Sequence, residues 1–317
     1  MHSTKYELTE PTAAELSWPM RLRVTAAIAA GVILIGVLTW PVVAPGTPFG
    51  TVSLVQVDIT VADVGVILLA GFAAGAAGYF VCWPYGRQIA ILAAPAGLAV
   101  WALKTGSMAD LLRLMPTAPQ RQAVYATIKW EGLLWFAVVA AGFCGMLAAE
   151  KTAGKRPAGQ PGPRMQTCNV STVANFALAV LASAVIALFC IGFFARGVEL
   201  ADPRVGSVLA QPETGQIAFG VLVAFSIAGF VAKNWLSASY YCPIIATAVV
   251  SFMSVKLSER ARVLGYLAAN WPAAFCAKPV ALVLPIQIIA FGSLGAVAGY
   301  WLAVKYELWR KYHSSST

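Results

Sequence analysis

Long runs without a charged residue alternate along this chain with short stretches where Lys, Arg, Asp and Glu gather. Residues 24–43 and 64–83 are the clearest uncharged runs, and 132–149, 170–195 and 279–304 have the same form. An α-helix needs about 20 mostly apolar residues to cross the hydrocarbon core, so each run predicts a spanning helix, the last two with tilt. Residues 216–255 are broken only by Lys233 and predict two spans joined by a turn around Lys233 to Ser237. A matching hairpin at 64–103 turns at Trp83, Pro84, Tyr85, Gly86 and Arg87, where Pro and Gly break the helix. Its second arm, 88–103, is short, and it either crosses as the third span or is re-entrant. Eight spans are predicted in all.

These runs are continuous and lack the ten-residue alternation of a membrane barrel. Since unpaired backbone groups are costly in lipid, the predicted fold class is an all-α polytopic membrane protein. Composition agrees: 59% of the 317 residues are apolar, 11% are charged, and 27 are Gly. A soluble chain of this length would be far less hydrophobic. The polar start and the length of the first run predict a retained signal anchor, not a cleaved signal peptide.

Shifting 64–103 by 152 positions lays it on 216–255, placing Trp83 on Trp235 and Lys104 on Lys256. In both halves a long span and an outer acidic loop precede the hairpin, and a basic amphipathic stretch and a final span follow it. That shared order, more than the few identities, predicts a parallel 4+4 internal repeat. The domains expected are an N-terminal tail 1–20, a four-helix unit 21–150, a flexible linker 151–169, a second unit 170–304 and a tail 305–317.

Lys and Arg near span ends set orientation. Arg21 and Arg23 abut the first span, whereas the loop 44–63 carries Asp58 and Asp63 and no basic residue. Both termini and the central loop are therefore expected in the cytoplasm, with an inner or plasma membrane as host; twelve Lys and Arg then lie inside against ten outside. The near balance comes from two basic outer loops, one with Lys104, Arg113, Arg121 and Lys129, the other with Lys256, Arg260, Arg262 and Lys278. Within them, Met108, Leu111, Leu112 and Met115 share one helical face, and Leu257, Ala261, Leu264 and Ala268 another, predicting two short interfacial helices.

Two readings of the loop lysines stand. Lys104, Lys129, Lys256 and Lys278 converge on an outer vestibule that attracts anions, or each snorkels to head groups at its own span end. Lys233, with Asn234 beside it, is the isolated cation between spans six and seven, read as a cytoplasmic turn residue or a substrate contact. Glu131 begins span four, and a local ion pair with Lys129 is expected. Asn175 and Gln287 are expected to hydrogen-bond across helices or to line a path. Gly71 and Gly75, and Gly295 and Gly299, are four-residue glycine repeats that let helices approach closely.

Enzyme chemistry finds little support. His2 and His313 lie in the tails, and the cysteines 82, 144, 168, 190, 242 and 276 form no paired motif, so no cofactor or metal is expected. The net charge of +9 is spread over loop ends as membrane anchors are, which argues against nucleic acid. The function expected is a permease or channel moving a small solute, anionic if the lysines act together, with Lys233 and Gln287 as further substrate contacts. The alternative is a non-catalytic subunit or scaffold of a membrane complex. Partners are the lipid bilayer and either further copies of the chain or other membrane subunits.

Overall fold

The computed structural model describes residues 18–47, 50–153 and 170–314, and they are mostly helical. Helix α1 (Trp18–Gly31) runs into a π-helical turn at Val32–Val37 and is followed by the short α2 (Trp40–Val43). Then come α3 (Val61–Val81), α4 (Gly86–Ile89), a 3-10 turn at Ala90–Leu92, α5 (Ala93–Lys104), α6 (Met108–Arg113) and α7 (Ala118–Thr152). The second part contains α8 (Val170–Phe194), strands β1 (Glu199–Asp202) and β2 (Gly206–Ala210), α9 (Thr214–Leu236), α10 (Tyr241–Lys256) and α11 (Ala261–Asn270). Strand β3 (Phe275–Cys276) and a 3-10 turn at Pro279–Leu282 lead into α12 (Pro285–Ser314).

Among the described residues seven helical stretches are long and apolar enough to cross a membrane, and α10 with α11, bent by 64° at their junction, makes an eighth if the pair is one span. These apolar helices suggest an integral membrane protein. The third predicted span is one helical stretch, Gly86–Lys104, buried over most of its length. It is apolar nearly all round, as a helix enclosed by others must be.

Local chemistry places the helix ends. Thr60 and Asp63 at α3, and Ser107 and Asp110 at α6, exchange side-chain and backbone hydrogen bonds as capping boxes. At the end of α9, Ser237 takes a left-handed φ of 48° and the Ala238 N–H returns to the Ala232 carbonyl at 3.0 Å. The helix thus runs past Lys233, and the chain turns at Ser237, the far end of the stretch predicted to turn.

Glycine governs the closest crossings. In α3, side chains at Gly71 and Gly75 would strike the backbone of α7 at Val138 and Gly142. In α12, side chains at Gly295 and Gly299 would strike the backbone of α9 at Leu222 and Ser226. Each predicted glycine repeat therefore marks a helix–helix contact. The π-helical turn packs on α5 and α8 packs on α10; across the two parts, α5 meets α12, α10 meets α7, and α7 meets α12.

One expectation needs correction. The fold is not purely helical: β1, β2 and β3 form a small antiparallel sheet in the order β1-β2-β3, with Asp202 opposite Gly206 and Leu209 opposite Cys276. Its strands are too short to show a period in the sequence, and the turn is made by Asp202, Pro203 and Gly206, the last at φ 82°. Helix α12 continues past residue 304 through Ser314, into the expected tail 305–317. Tyr306 stacks on Trp309 and Trp309 meets His313, ring contacts at helical spacing that extend α12. Residues 1–17 and 154–169, which hold most of the predicted N-terminal tail and linker, lie outside the described residues.

The sheet, α6 and α11 gather at one end of the bundle, here the cap end. The predicted interfacial helices α6 and α11 bury Leu111, Leu112, Leu264 and Leu267 against protein.

Candidate functional site

The inner face of α7 carries Tyr125, Ile128, Glu131 and Trp135, all buried. Glu131 is the one acid of this face, and its carboxylate accepts from the Ser53 hydroxyl at 2.9 Å and the Trp135 indole N–H at 3.0 Å, with the Leu54 N–H as a further donor. Ser53 belongs to a non-helical segment whose Thr51, Val52 and Ser53 are fully enclosed. Such backbone is admitted among spanning helices only where protein satisfies it. Here the Val52 N–H donates to the Thr105 hydroxyl at 2.8 Å, the Gly106 N–H to the Gly50 carbonyl at 3.1 Å, and the Thr51 N–H to Gln56.

The expected pair of Glu131 with Lys129 does not form. Residues two apart on a helix do not face each other, and Lys129 reaches Glu259 at 3.4 Å instead. Among the described residues no cation pairs with Glu131.

Two buried polar atoms on helices packed against α7 lack a hydrogen-bond partner among the described residues. The Trp101 ring stands edge-on to Trp135 at 5.9 Å, yet its buried Nε1 has no hydrogen-bond partner. Ser251 Oγ, on α10, is likewise buried without a partner and lies where a side chain at Gly132 would be. Gln287 is buried at the start of α12, accepting from the Leu284 N–H at 3.0 Å and donating to the Ala102 carbonyl at 3.5 Å. It ties α12 to α5, the cross-helix role expected for it. Asn175, by contrast, is exposed on α8.

The loop lysines divide. Lys129 and Lys256 meet on Glu259, at 3.4 and 3.1 Å, and their hydrogen bonds, Lys256 first, hold its carboxyl below the ordinary value. Lys278 lines a neighbouring cavity of about 220 Å³ together with Arg204 and Arg260, and no carboxylate is in its wall. Lys104 stays apart, 4.9 Å from the Trp40 ring centroid. Lys233 lies at the opposite end of the bundle, paired with Glu307 at 3.3 Å and 6.0 Å from the Tyr300 ring centroid.

Asp202 sets the rim of this cavity. It accepts from the Arg204 and Val205 N–H groups at 2.8 and 2.9 Å, from the Tyr266 hydroxyl at 2.8 Å and from Trp271 Nε1 at 2.7 Å. Burial pushes its carboxyl up, but these four donors outweigh burial and bring it to about 2. The hairpin is thereby fastened to α11, and Arg204 is placed over the Tyr266 ring at 5.2 Å. The floor is formed by Tyr125 and Cys276, whose hydroxyl and thiol lie 4.0 Å apart. Burial pushes the Cys276 thiol up to about 11, so it is held as a thiol and is a poor nucleophile.

Arg204, Tyr266 and Trp271 escaped the sequence reading. The signal present was the Asp202, Pro203, Gly206 turn, which marks a hairpin but says nothing of what it faces. Among the described residues no three His, Cys, Asp or Glu side chains are grouped as metal ligands. No protein-family model, no curated protein and no solved structure matches the chain.

Proposed function

We propose that the chain is a membrane-embedded permease for a small anionic solute, received at the cap end. The observation that carries this reading is the cavity walled by Arg204, Arg260 and Lys278 without a carboxylate. Three cations on low-dielectric walls raise the local concentration of anions. Lys129 and Lys256 add charge beside it, partly neutralised by Glu259. Glu131 lies six residues further along α7 than Tyr125, about 9 Å deeper at 1.5 Å per residue, and is the next polar station on that face.

Symmetry of packing supports a 4+4 arrangement around this route. The α3–α7 and α9–α12 crossings are both made at glycines, and α5 on α12 is mirrored by α10 on α7. A repeat of this kind, with an even number of spans in each half, would have its axis along the membrane normal. In this reading both termini are cytoplasmic and the cap end is outside, an orientation supported by Arg21 and Arg23 beside the first span.

The test is flux in reconstituted vesicles with chloride, nitrate, phosphate and short carboxylates. Replacing Arg204, Arg260 and Lys278 together by Gln is expected to lower flux of the accepted anion roughly tenfold or more, since charge-assisted contacts are the strong ones. Full flux in a variant that elutes and melts like the parent overturns the reading. If the parent carries no anion and is isolated in fixed stoichiometry with other membrane proteins, it is a scaffold subunit.

A further inference from the structure

At the end opposite the cap, a cleft of about 490 Å³ opens between α7 on one side and α8 and α10 on the other. We propose that it holds one acyl chain of an anionic phospholipid drawn from the surrounding bilayer, with the phosphate on Arg87 and Tyr241. The inference rests on membrane embedding and is independent of transport.

The cleft has the dimensions of one leaflet. On α7 its wall is the stripe Phe136, Ala140, Phe143 and Leu147, at helical spacing. From Phe136 to Leu147 the helix rises about 16 Å, close to half of the ~30 Å hydrocarbon thickness. Ile244 and Ile245 of α10 face this stripe. Its volume falls in the usual range of ligand pockets, and in a bilayer the apolar molecule at hand is a lipid tail.

Its polar groups are confined to one end. Arg87 contacts Glu150 at 3.6 Å, longer than a good charge-assisted hydrogen bond, and a guanidinium has five donors. The Tyr241 hydroxyl accepts from Tyr240 at 2.8 Å, which leaves its own proton to donate. A phosphate there gains a cation and a hydroxyl donor while its chain fills the apolar length. A basic group between spanning helices at the cytoplasmic side is a recognised setting for anionic head groups.

The experiment is native mass spectrometry of the intact chain purified in mild detergent from alkali-washed membranes, then offered equal phosphatidylglycerol and phosphatidylcholine. The parent is expected to retain one phosphatidylglycerol in preference. Arg87→Gln should reduce that preference roughly tenfold, the effect of losing one charged contact. Ala140→Phe, or Ile245→Trp if the first variant is not recovered, should lose both lipids while eluting as the parent does. Equal retention of the two lipids by the parent, or undiminished retention by the filled cleft, overturns the proposal. Release of the chain by the alkaline wash overturns membrane embedding, a separate outcome.

Discussion

Glu131, among the spanning helices, and Asp202, in the cap, are met by the same kinds of donor. Each carboxylate receives an indole N–H, a hydroxyl and main-chain N–H: Trp135, Ser53 and Leu54 in one case, Trp271, Tyr266, Arg204 and Val205 in the other. The surroundings differ. Around Asp202 the donors all converge on the acid, and a cation, Arg204, stands over the ring of one of them, Tyr266. Among the described residues no cation pairs with Glu131, and Trp101 Nε1 on α5 and Ser251 Oγ on α10, both packed against α7, are buried and unmatched. A saturated node is a fastening between a hairpin and a helix. A node with unmatched polar groups on the helices packed against α7 carries an uncompensated desolvation cost, which the permease proposed above would relieve by admitting a polar solute.

The largest expected effect separates the two nodes at once. Glu131→Ala leaves three enclosed donors without an acceptor and should destabilise the folded protein by about 3 kcal/mol, read as a fall in melting temperature in detergent. Glu131→Gln keeps the volume and one acceptor, with a loss of about 1 kcal/mol expected. Equal losses in the two variants would mean that the site responds to bulk and not to hydrogen bonding.

Asp202→Asn should act locally. Amides of β1, β2 and α11 are expected to exchange with solvent roughly tenfold faster or more, with α3, α7, α9 and α12 unchanged, as for a separately opening unit. Faster exchange throughout the bundle would show that the cap is not a separable fastening.

Acid sharpens the same contrast. The Asp202 carboxyl is lowered from 3.8 to about 2 in the fold, so its contribution is complete above about 4 and is lost as the pH falls toward 2. Cap amides should therefore stay protected from neutral pH down to about 4 and lose protection below it. In Asp202→Asn this acid step should vanish; its persistence would assign it to another group.

The smallest effect is at Glu259. Lys256 is largely exposed, and Lys256→Gln should cost about 0.5 kcal/mol or less. Lys129 is more enclosed, its side chain 18% exposed against 57% for Lys256, so Lys129→Gln should cost more. Chemical denaturation of the single and double variants checks the order.

The positions of the spans, the caps at Thr60 and Ser107, and the glycine crossings follow from residues near one another in the chain. Hydropathy over about 20 residues, a capping box over four and a four-residue glycine repeat are local quantities, so the sequence by itself determined them. The partner of each charge was not local. Lys129 had Glu131 two positions away and took Glu259, 130 positions away, because the helix turns neighbours to different faces and the fold brings α7 to the junction of α10 and α11. Ser53 reaches Glu131 across 78 positions, and Trp271 reaches Asp202 across 69. The cationic cavity, the unmatched Trp101 and Ser251, the lipid-length cleft and the small sheet were decided only by tertiary structure, for the physical reason that each depends on which faces meet.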